Sequence, residues 1–324
     1  MGIEYASISE VAVMLRNRTT TAVKLTKLML DRIAETHKEL NAYITVTSDL
    51  ALEQAQQADL ELSEGLDRGP LHGIPVAVKD LIDTFLQAGE VSLELREKGL
   101  VKETKPDNTP VSNGDIEVNK ILTKKISEIT PNILIISEEN SENKENDNLK
   151  DFWLIDPIDG TRDYINNKDE FTLNAALILN KRPAIGIITA PAKKRVFYSY
   201  ALSNSYELVG NQEIELINKK KNYKETKALS YSNTLKPEIL KIHKEHNIKS
   251  YQKMKSSLKF CAVAAGEFDL YAAEPRACEW DIAAGHALVI HAGGKVTDFN
   301  NKEIYYGKAN FKNSSIIIKN KNIL

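Results

Sequence analysis

The sequence predicts an α/β (α+β) protein whose first segment is mainly helical. Three observations support this fold class. Apolar residues recur at helical spacing through the first 65 residues, whereas short β-rich runs alternate with helical stretches after residue 114. The composition, with 42% hydrophobic and 27% charged residues, is that of a folded globular chain and excludes a mainly disordered protein.

The first segment, residues 1–86, is predicted to contain three helices. Ser7 and Glu10 have the spacing of a capping box, and an apolar helical face follows them. The second helix is expected at 22–37 and the third from Ser48 to Gly65. Gly and Pro then interrupt the pattern at 69–75, and residues 76–78 suit a short strand.

The second segment, residues 87–324, is predicted to alternate helices and strands. Helices are expected at 87–97, from Asp115 onward, and at 237–246, 258–265 and 282–291. The β-rich runs lie at 133–136, 152–155, 173–179, 184–189, 196–200 and 316–318. Residues 105–114 are expected to form a loop, and the polar run 138–150 an exposed one.

The composition changes between the two segments. Residues 1–84 contain four Lys and two Asn with a net charge of −5, whereas residues 85–324 contain 30 Lys and 24 Asn with a net charge of +3. This contrast predicts that two sequences of different origin join near residues 85–87, by a gene fusion or by an assembly error. The alternative interpretation is that a surface-rich domain follows a helical one.

Charge and composition exclude several classes of partner. The whole chain has 43 basic and 45 acidic residues, so its net charge of −2 gives no reason to bind a nucleic acid polymer. No stretch has the roughly 18 apolar residues that a transmembrane segment needs, and the first 15 residues lack a basic secretory signal. Two cysteines, Cys261 and Cys278, cannot form a disulfide framework, so we interpret both as core residues of a cytoplasmic protein.

The strongest chemical signal is a pair of aspartates after an apolar run. Asp156 and Asp159 follow residues 152–155, and two carboxylates at the end of a strand can turn toward one point. Mg²⁺ prefers such oxygen ligands, often with a backbone carbonyl, water and a substrate phosphate. Gly160 and Thr161 would offer backbone N–H groups to that phosphate at a helix start.

Other acidic residues repeat this pattern. Glu138 and Glu139 follow the β-rich run 133–136, and Asp281 precedes the helical stretch 282–291. A lone acidic pair after a strand is usually a solvated loop. Several such sites, each attached to an apolar element, indicate a metal centre.

These motifs resemble those of the inositol monophosphatase superfamily in type and order. The resemblance covers residues 87–318, and within the superfamily it is similar to the bacterial 3'(2'),5'-bisphosphate nucleotidases of the CysQ group. The motifs that carry it are residues 105–115, 137–139, 153–161, 256–261 and 280–285.

The resemblance implies a layered αβαβα sandwich and Mg²⁺-dependent removal of phosphate from adenosine 3',5'-bisphosphate in sulfur assimilation. It implies metal ligation by Glu138, Asp156, the carbonyl of Ile158, Asp159 and Asp281. Asp115 and Thr161 would position and deprotonate the attacking water. The implied contacts with a small phosphorylated nucleotide come from Glu138, Ile158, Asp159, Gly160, Thr161, Lys259 and Asp281. The resemblance also implies a cytoplasmic location, with peripheral association at the cytoplasmic side of the inner membrane.

Two departures from the superfamily pattern affect the expected substrate. Lys255 replaces a Gly that relatives often have, and residues 230–233 read Ser-Tyr-Ser-Asn in place of Ser-Arg-Ser-His. An inositol or sugar monophosphatase is therefore an alternative. Arg276 is a candidate to replace the missing Arg, and Lys259 is either a phosphate contact or a lysine on a helix surface.

The first segment resembles the start of the amidase signature family at residues 69–80. In that family the lysine matching Lys79 activates a serine, but the Gly-Gly-Ser-Ser-Gly-Gly motif that supplies the serines is absent from this chain. We therefore expect a truncated fragment in which Lys79 has no catalytic role. Its apolar surface at Val76, Val78 and Leu81 must then be covered by docking on the second segment, or the fragment remains loose. An amidase or an amidotransferase-related protein, and an inactive binding module, are the alternatives from other classes. The sequence leaves the oligomeric state open.

Overall fold

A computed structural model describes the chain except for residues 1–2, 4–5, 41–47, 68–71, 76–78, 106–108, 131–132, 140–148, 201–203, 211 and 217–224. The chain divides into two compact units, residues 1–80 and 81–324. Each unit is described by itself below.

The first unit is helical, as predicted. Its helices are α1 (Ile8–Arg16), α2 (Ala22–Leu40) and α3 (Ser48–Ser63). The predicted capping box is confirmed, because Ser7 N donates to the Glu10 carboxylate at 2.7 Å while Glu10 N donates to Ser7 Oγ at 3.3 Å. Asp59 of α3 accepts hydrogen bonds from the first two N–H groups of α2, at Ala22 and Val23, which fixes these helices together. The expected strand 76–78 lies outside the described residues.

The next helix, α4 (Lys79–Lys98), is longer than the sequence predicted. We expected it to begin at Gln87, but the helix begins eight residues earlier. Leu81 and Phe85 are buried at 4% and 0% exposure, so the apolar surface expected at Leu81 is covered. The apolar residues at 81, 82, 85 and 88 continue one helical face across the change in composition.

The second unit contains a seven-stranded sheet in which the strands follow chain order. Its strands are β3 (Leu134–Ser137), β4 (Phe152–Asp159), β5 (Thr172–Leu179), β6 (Arg182–Ala190), β7 (Arg195–Tyr200), β8 (Asn204–Val209) and β9 (Gln212–Glu215). β3 and β4 are parallel, and every later pair is antiparallel. Before this sheet, β1 (Lys102–Thr104) and β2 (Pro110–Ser112) pair with each other, although we expected only a loop at 105–114.

The second unit also contains a five-stranded sheet with the order β11-β10-β12-β14-β13. Its strands are β10 (Lys227–Ser230), β11 (Ser250–Lys253), β12 (Leu270–Ala273), β13 (Lys295–Thr297) and β14 (Ile316–Lys319). The helices of this unit, besides α4, are α5 (Asn113–Ile129), the short α6 (Thr161–Ile165), α7 (Pro237–Glu245), α8 (Leu258–Ala264) and α9 (Glu279–His291).

The helices and sheets of the second unit form the αβαβα sandwich that the resemblance implied. α5 packs on one face of the seven-stranded sheet at β4, whereas α9 crosses its other face from β4 to β8. Phe152 and Leu154 of β4 join the core with α8 and α9, while Trp153 between them points toward α5 and donates to Thr130. α8 contacts β12 and β14 of the second sheet, and α7 contacts β12.

One glycine allows the central helix to lie close to the seven-stranded sheet. A Cβ atom at Gly186 of β6 would overlap the carbonyl oxygen of Ala284 in α9. α9 is consequently buried along its length between the two sheets. This position holds the first turn of α9 beside the end of β4. Among the described residues, no helix is both long enough and apolar enough to cross a membrane.

Candidate active site

A bulge at the end of β4 positions the two aspartates of the strongest sequence motif. Asp156 pairs with Asn174 of β5 and Asp159 pairs with Thr172, so three steps on β4 match two steps on β5. In a regular strand, side chains three residues apart point to opposite faces of a sheet. The extra residue changes this alternation and brings both carboxylates to one side. The sequence predicted that the strand ends at 155, whereas it continues through the bulge to Asp159.

Three carboxylates from three different elements meet beside this bulge. One oxygen from each of Glu138, Asp156 and Asp281 lies within 4.8 Å of the other two, and these residues could hold a metal ion. Glu138 follows β3, where its backbone N–H continues the ladder to the carbonyl of Ile155. We expected 138–150 to be an exposed loop, but the side chains of Glu138 and Glu139 are only 27% and 5% exposed.

Asp281 lies in the first turn of α9. Its Oδ2 accepts a hydrogen bond from Cys278 N at 2.6 Å, which completes a capping box. The sequence predicted a helix from Ile282, but α9 begins at Glu279, so that the helix start itself fixes the carboxylate. Burial, followed by the charges of Asp159 and Glu138, raises the pKa of Asp281 to about 8.

The other carboxylates of the cluster are destabilised in the same way. Burial, and then the charge of Glu138, raises the pKa of Asp156 well above its usual range. Burial likewise raises the pKa of Glu138, in spite of the opposing charge of Lys105. Like charges held together without enough positive charge favour a bound cation or bound protons.

The donor set fits a hard divalent cation. Asp156 is 1% exposed, and its Oδ1 has no hydrogen-bond partner among the described residues. A buried carboxylate oxygen without a donor is costly unless a metal or a proton satisfies it. The ligands here are all oxygen atoms, the type that Mg²⁺ and Ca²⁺ prefer.

Asp115 and Thr161 form a second pair, directly beside the metal-binding candidates. Thr161 Oγ1 lies 3.0 Å from Asp115 Oδ1 and 2.9 Å from the carbonyl oxygen of Ile158. Asp115 Oδ2 accepts from both N and Oγ of Ser112, in the capping box of α5. Burial raises the pKa of Asp115, and the hydrogen bonds from Ser112 and Thr161 partly offset that effect.

Gly160 connects Asp159 to the short helix α6. Its φ of 92° lies in the left-handed region, and an added Cβ would be 3.0 Å from the carbonyl oxygen of Glu170. A larger residue would therefore be strained and crowded at this turn. Glycine is what lets Thr161 follow so closely after Asp159.

Lys259 is a buried lysine near the acidic cluster, so the interpretation as a lysine on a helix surface is wrong. It is 7% exposed and its Nζ donates to the carbonyl oxygen of Ser256. Burial lowers its pKa to about 8, although the charge of Asp159 opposes the change. Its ammonium group also lies 5.4 Å from the ring centroid of Tyr271.

Arg276 lies next to the segment that departs from the superfamily pattern. Its guanidinium carbon is 3.9 Å from the ring centroid of Tyr231, and the hydroxyl of Tyr231 donates to Glu274. Lys236 pairs with the same Glu274 at 2.7 Å. β10 and β12 are parallel neighbours, so the residues after them come together at one edge of the five-stranded sheet.

The sequence did not single out several polar residues of the site. Lys105 lies 2.7 Å from Glu139 and 3.7 Å from Glu138. Burial is the largest single influence and acts to lower its pKa. The hydrogen bond to Glu139 and the charges of the neighbouring carboxylates together outweigh it, so the pKa of Lys105 is raised. Ser257 contacts Asp159 and the backbone of Asp281, and Asn174 contacts Ser257. Lys105 and Ser257 lie inside quoted motifs, whereas Asn174 gives no signal within its apolar strand.

The predicted site residues lie close together. The two cysteines have structural roles instead. Cys261 is buried in the core, as expected, whereas Cys278 is half-buried as the N-cap of α9. The residues at the ends of β3 and β4 and at the starts of α5, α6, α8 and α9 contribute the site.

Comparisons with known proteins agree with this geometry. The model of the inositol monophosphatase family matches residues 78–323, and that of the amidase family matches residues 24–87. The 3'(2'),5'-bisphosphate nucleotidase CysQ of Buchnera aphidicola is 40% identical over 207 residues, covering 62% of this chain and 76% of that protein. CysQ of Salmonella typhimurium is 32% identical over 203 residues, covering 62% of this chain and 81% of its own length.

Solved structures give the same assignment. CysQ from Bacteroides thetaiotaomicron has a TM-score of 0.61 at 27% identity and covers 74% of this chain and 96% of its own. The inositol monophosphatase of Thermotoga maritima has a TM-score of 0.59 at 25% identity, over 75% of this chain and 92% of its own. The region that the family model matches, residues 78–323, contains the seven-stranded and five-stranded sheets and every residue of the acidic cluster. The chain therefore belongs to the inositol monophosphatase family.

Proposed function

We propose that this protein is a Mg²⁺-dependent phosphomonoesterase that hydrolyses adenosine 3',5'-bisphosphate to AMP and phosphate, as a CysQ-type nucleotidase of sulfur assimilation. The buried acidic cluster of Glu138, Asp156 and Asp281, with the unsatisfied Oδ1 of Asp156, is the observation that carries the proposal. The relatives are named 3'(2'),5'-bisphosphate nucleotidases, which supports adenosine 3',5'-bisphosphate as the substrate. A cytoplasmic location is proposed from the resemblance and from the low cysteine count of two.

The proposed metal ligands are Glu138, Asp156, the carbonyl of Ile158, Asp159 and Asp281. Related structures contain Mg²⁺ with phosphate, or Ca²⁺ with NADP, at 20% identity. Bound Mg²⁺ would neutralise phosphate charge, lower the pKa of a coordinated water and stabilise the leaving oxygen. The same ligands would leave room for substrate oxygens, since Mg²⁺ usually keeps several non-protein positions.

Asp115 and Thr161 would orient and deprotonate the attacking water. Thr161 Oγ1 donates toward Asp115 Oδ1, so its lone pairs remain available to a water molecule. A proton from that water can move to Thr161 Oγ1 while the threonine proton moves to Asp115 Oδ1. The pKa of Asp115, which burial raises, makes it a stronger proton acceptor than an exposed aspartate.

Gly160 and Lys259 would complete the phosphate contacts. The tight turn at Gly160 brings its backbone beside Asp159, and Lys259 supplies a positive charge that interacts with Asp159 and Asp281. With a pKa of about 8, Lys259 is mostly protonated at neutral pH. Arg276 would replace the arginine missing from 230–233 and contact the second phosphate of a bisphosphate substrate.

The two segments are proposed to have different roles. Residues 87–324 would be the phosphatase domain, and residues 1–86 a truncated amidase-like segment. The match of the amidase model to residues 24–87 supports this division. Because the serine motif of amidases is absent from the sequence, the proposal assigns no amide hydrolysis to Lys79.

The test is phosphate release from a panel of substrates while Mg²⁺ is titrated. The panel contains adenosine 3',5'-bisphosphate, its 5'-phosphosulfate counterpart and inositol 1-phosphate. We expect the bisphosphate to have the highest kcat/KM, and activity to be lost in Asp156→Asn. Preference for inositol phosphate would instead favour the alternative, an inositol or sugar monophosphatase, which the altered residues at 230–233 support. Ammonia release from an amide, without phosphate release, would overturn the proposal.

A further inference from the structure

We propose that Ser257, held in place by Asn174, sets the separation of Asp159 and Asp281 and thereby tunes the metal affinity of the site. The inference rests on the proposed function, because it assigns both carboxylates to a metal centre. Neither Ser257 nor Asn174 is among the proposed metal ligands. Both are positioning residues that would act through the carboxylates.

Ser257 connects two structural elements that each carry a proposed ligand. Its Oγ lies 2.7 Å from Asp159 Oδ2, at the end of β4, and 2.7 Å from the backbone carbonyl oxygen of Asp281, in α9. Ser257 is 1% exposed, so water does not replace these contacts. One hydroxyl therefore spans the gap between the strand and the helix that bring the carboxylates together.

Asn174 occupies one acceptor position of the Ser257 hydroxyl. Its Nδ2 donates to Ser257 Oγ at 3.1 Å, so that the serine oxygen accepts from the amide. A hydroxyl has one proton, for which the Asp159 carboxylate and the Asp281 carbonyl compete, and the charged carboxylate is the stronger acceptor. Asn174 itself is fixed on β5, directly opposite Asp156, and is 1% exposed.

The hydrogen bond from Ser257 to Asp159 should affect the metal affinity of the site more than the stability of the fold. A donor to an ionised carboxylate orients it and favours its charged form. Burial and like charges work against charge in this cluster, so loss of one donor would weaken the cation site. Partners of metal ligands of this kind typically change metal affinity by about 10–100-fold when removed.

The test is Mg²⁺ affinity, measured by isothermal titration calorimetry on the full-length protein after EDTA treatment. We expect Ser257→Ala to weaken Mg²⁺ binding at least about tenfold. The matched control is Ser205→Ala, which removes a buried hydroxyl from β8 that donates to the Leu288 carbonyl of α9 at 2.6 Å. The control should lose comparable thermal stability but bind Mg²⁺ like the wild type.

A double variant tests the proposed order of action. Asn174→Ala should also weaken Mg²⁺ binding, and Asn174→Ala combined with Ser257→Ala should be no weaker than Ser257→Ala alone. If Ser257→Ala does not fold, Asn174→Ala carries the same test. Wild-type affinity in both single variants, or additive losses, would overturn the inference.

The proposed metal site has a separate control. If the wild type binds no Mg²⁺, or if Asp156→Asn binds it equally well, the metal site itself is refuted. If the wild type binds and Asp156→Asn does not, an unchanged affinity in Ser257→Ala refutes only the positioning role.

Discussion

Removal of one charge from the acidic cluster should make the metal-free protein more stable at alkaline pH. Burial and like charges raise the pKa of Asp281 to about 8 in the folded chain, against 3.8 for an ordinary aspartate. The folded state therefore binds more protons than the unfolded state between those pH values, and stability must fall as the pH rises through this range. Asp281→Asn should remove much of that fall.

The magnitude follows from the size of the shift. A change of about four pKa units at about 1.36 kcal/mol each sets a ceiling of about 5 kcal/mol. Water that enters a metal-free site raises the effective dielectric constant, so we expect a measured effect of about 2–3 kcal/mol. The effect should be present at pH 8 and nearly absent at pH 4, where Asp281 is protonated in the folded state.

Urea unfolding of EDTA-treated protein at pH 4 and pH 8, followed by tryptophan fluorescence, measures this difference. The control is Asp83→Asn, which removes an exposed carboxylate from α4. Saturating Mg²⁺ should stabilise the wild type at pH 8 and stabilise Asp281→Asn much less, since the bound cation favours the charged cluster. Equal pH dependence in the wild type and Asp281→Asn would refute the reasoning.

Three further results are expected. A truncated protein that begins at Leu86 should lose several kcal/mol of stability, because it lacks the fully buried Phe85. A truncated protein that begins at Lys79, the first residue of α4, should fold and retain phosphate release within a few-fold. Equal melting temperatures of the two truncated proteins would contradict this expectation. Thr161→Val should lower kcat by about 10²-fold or more with little change in Mg²⁺ affinity, and a near-wild-type kcat would exclude the water-orienting role. Arg276→Ala should raise KM for adenosine 3',5'-bisphosphate about tenfold and leave KM for inositol 1-phosphate unchanged; an equal rise for both substrates would indicate a general folding defect.

The metal-binding candidates were predictable because each follows an apolar run that the sequence makes obvious. Asp156 comes directly after four apolar residues, and Asp281 directly before a long apolar helix. The bulge that brings Asp159 to the same side was not predictable, since it depends on the pairing of β4 with β5. Similarly, the start of α9 at Glu279 depends on a cap that the sequence alone did not reveal.

Polar strands and polar supporting residues account for most of what the sequence missed. β11, which is Ser-Tyr-Gln-Lys, is exposed at all four positions and lies at a sheet edge, so it has no apolar alternation to detect. Asn174 lies in a buried strand, and its role follows only from its hydrogen bond to Ser257, 83 residues later in the sequence. Long-range contacts of this type have no local pattern.

The proposed fusion would have to place its junction inside helix α4. The amidase model ends at residue 87 and the inositol monophosphatase model begins at residue 78, so both claim the first half of this one helix. Its buried positions 81, 85, 88 and 92 keep a single helical phase through the overlap. One inserted or deleted residue there would rotate one part of the helix by about 100° against the other and expose half of the buried face. With 3.6 residues per turn, about one junction length in four preserves this phase, so a junction inside the helix is compatible with an intact fold.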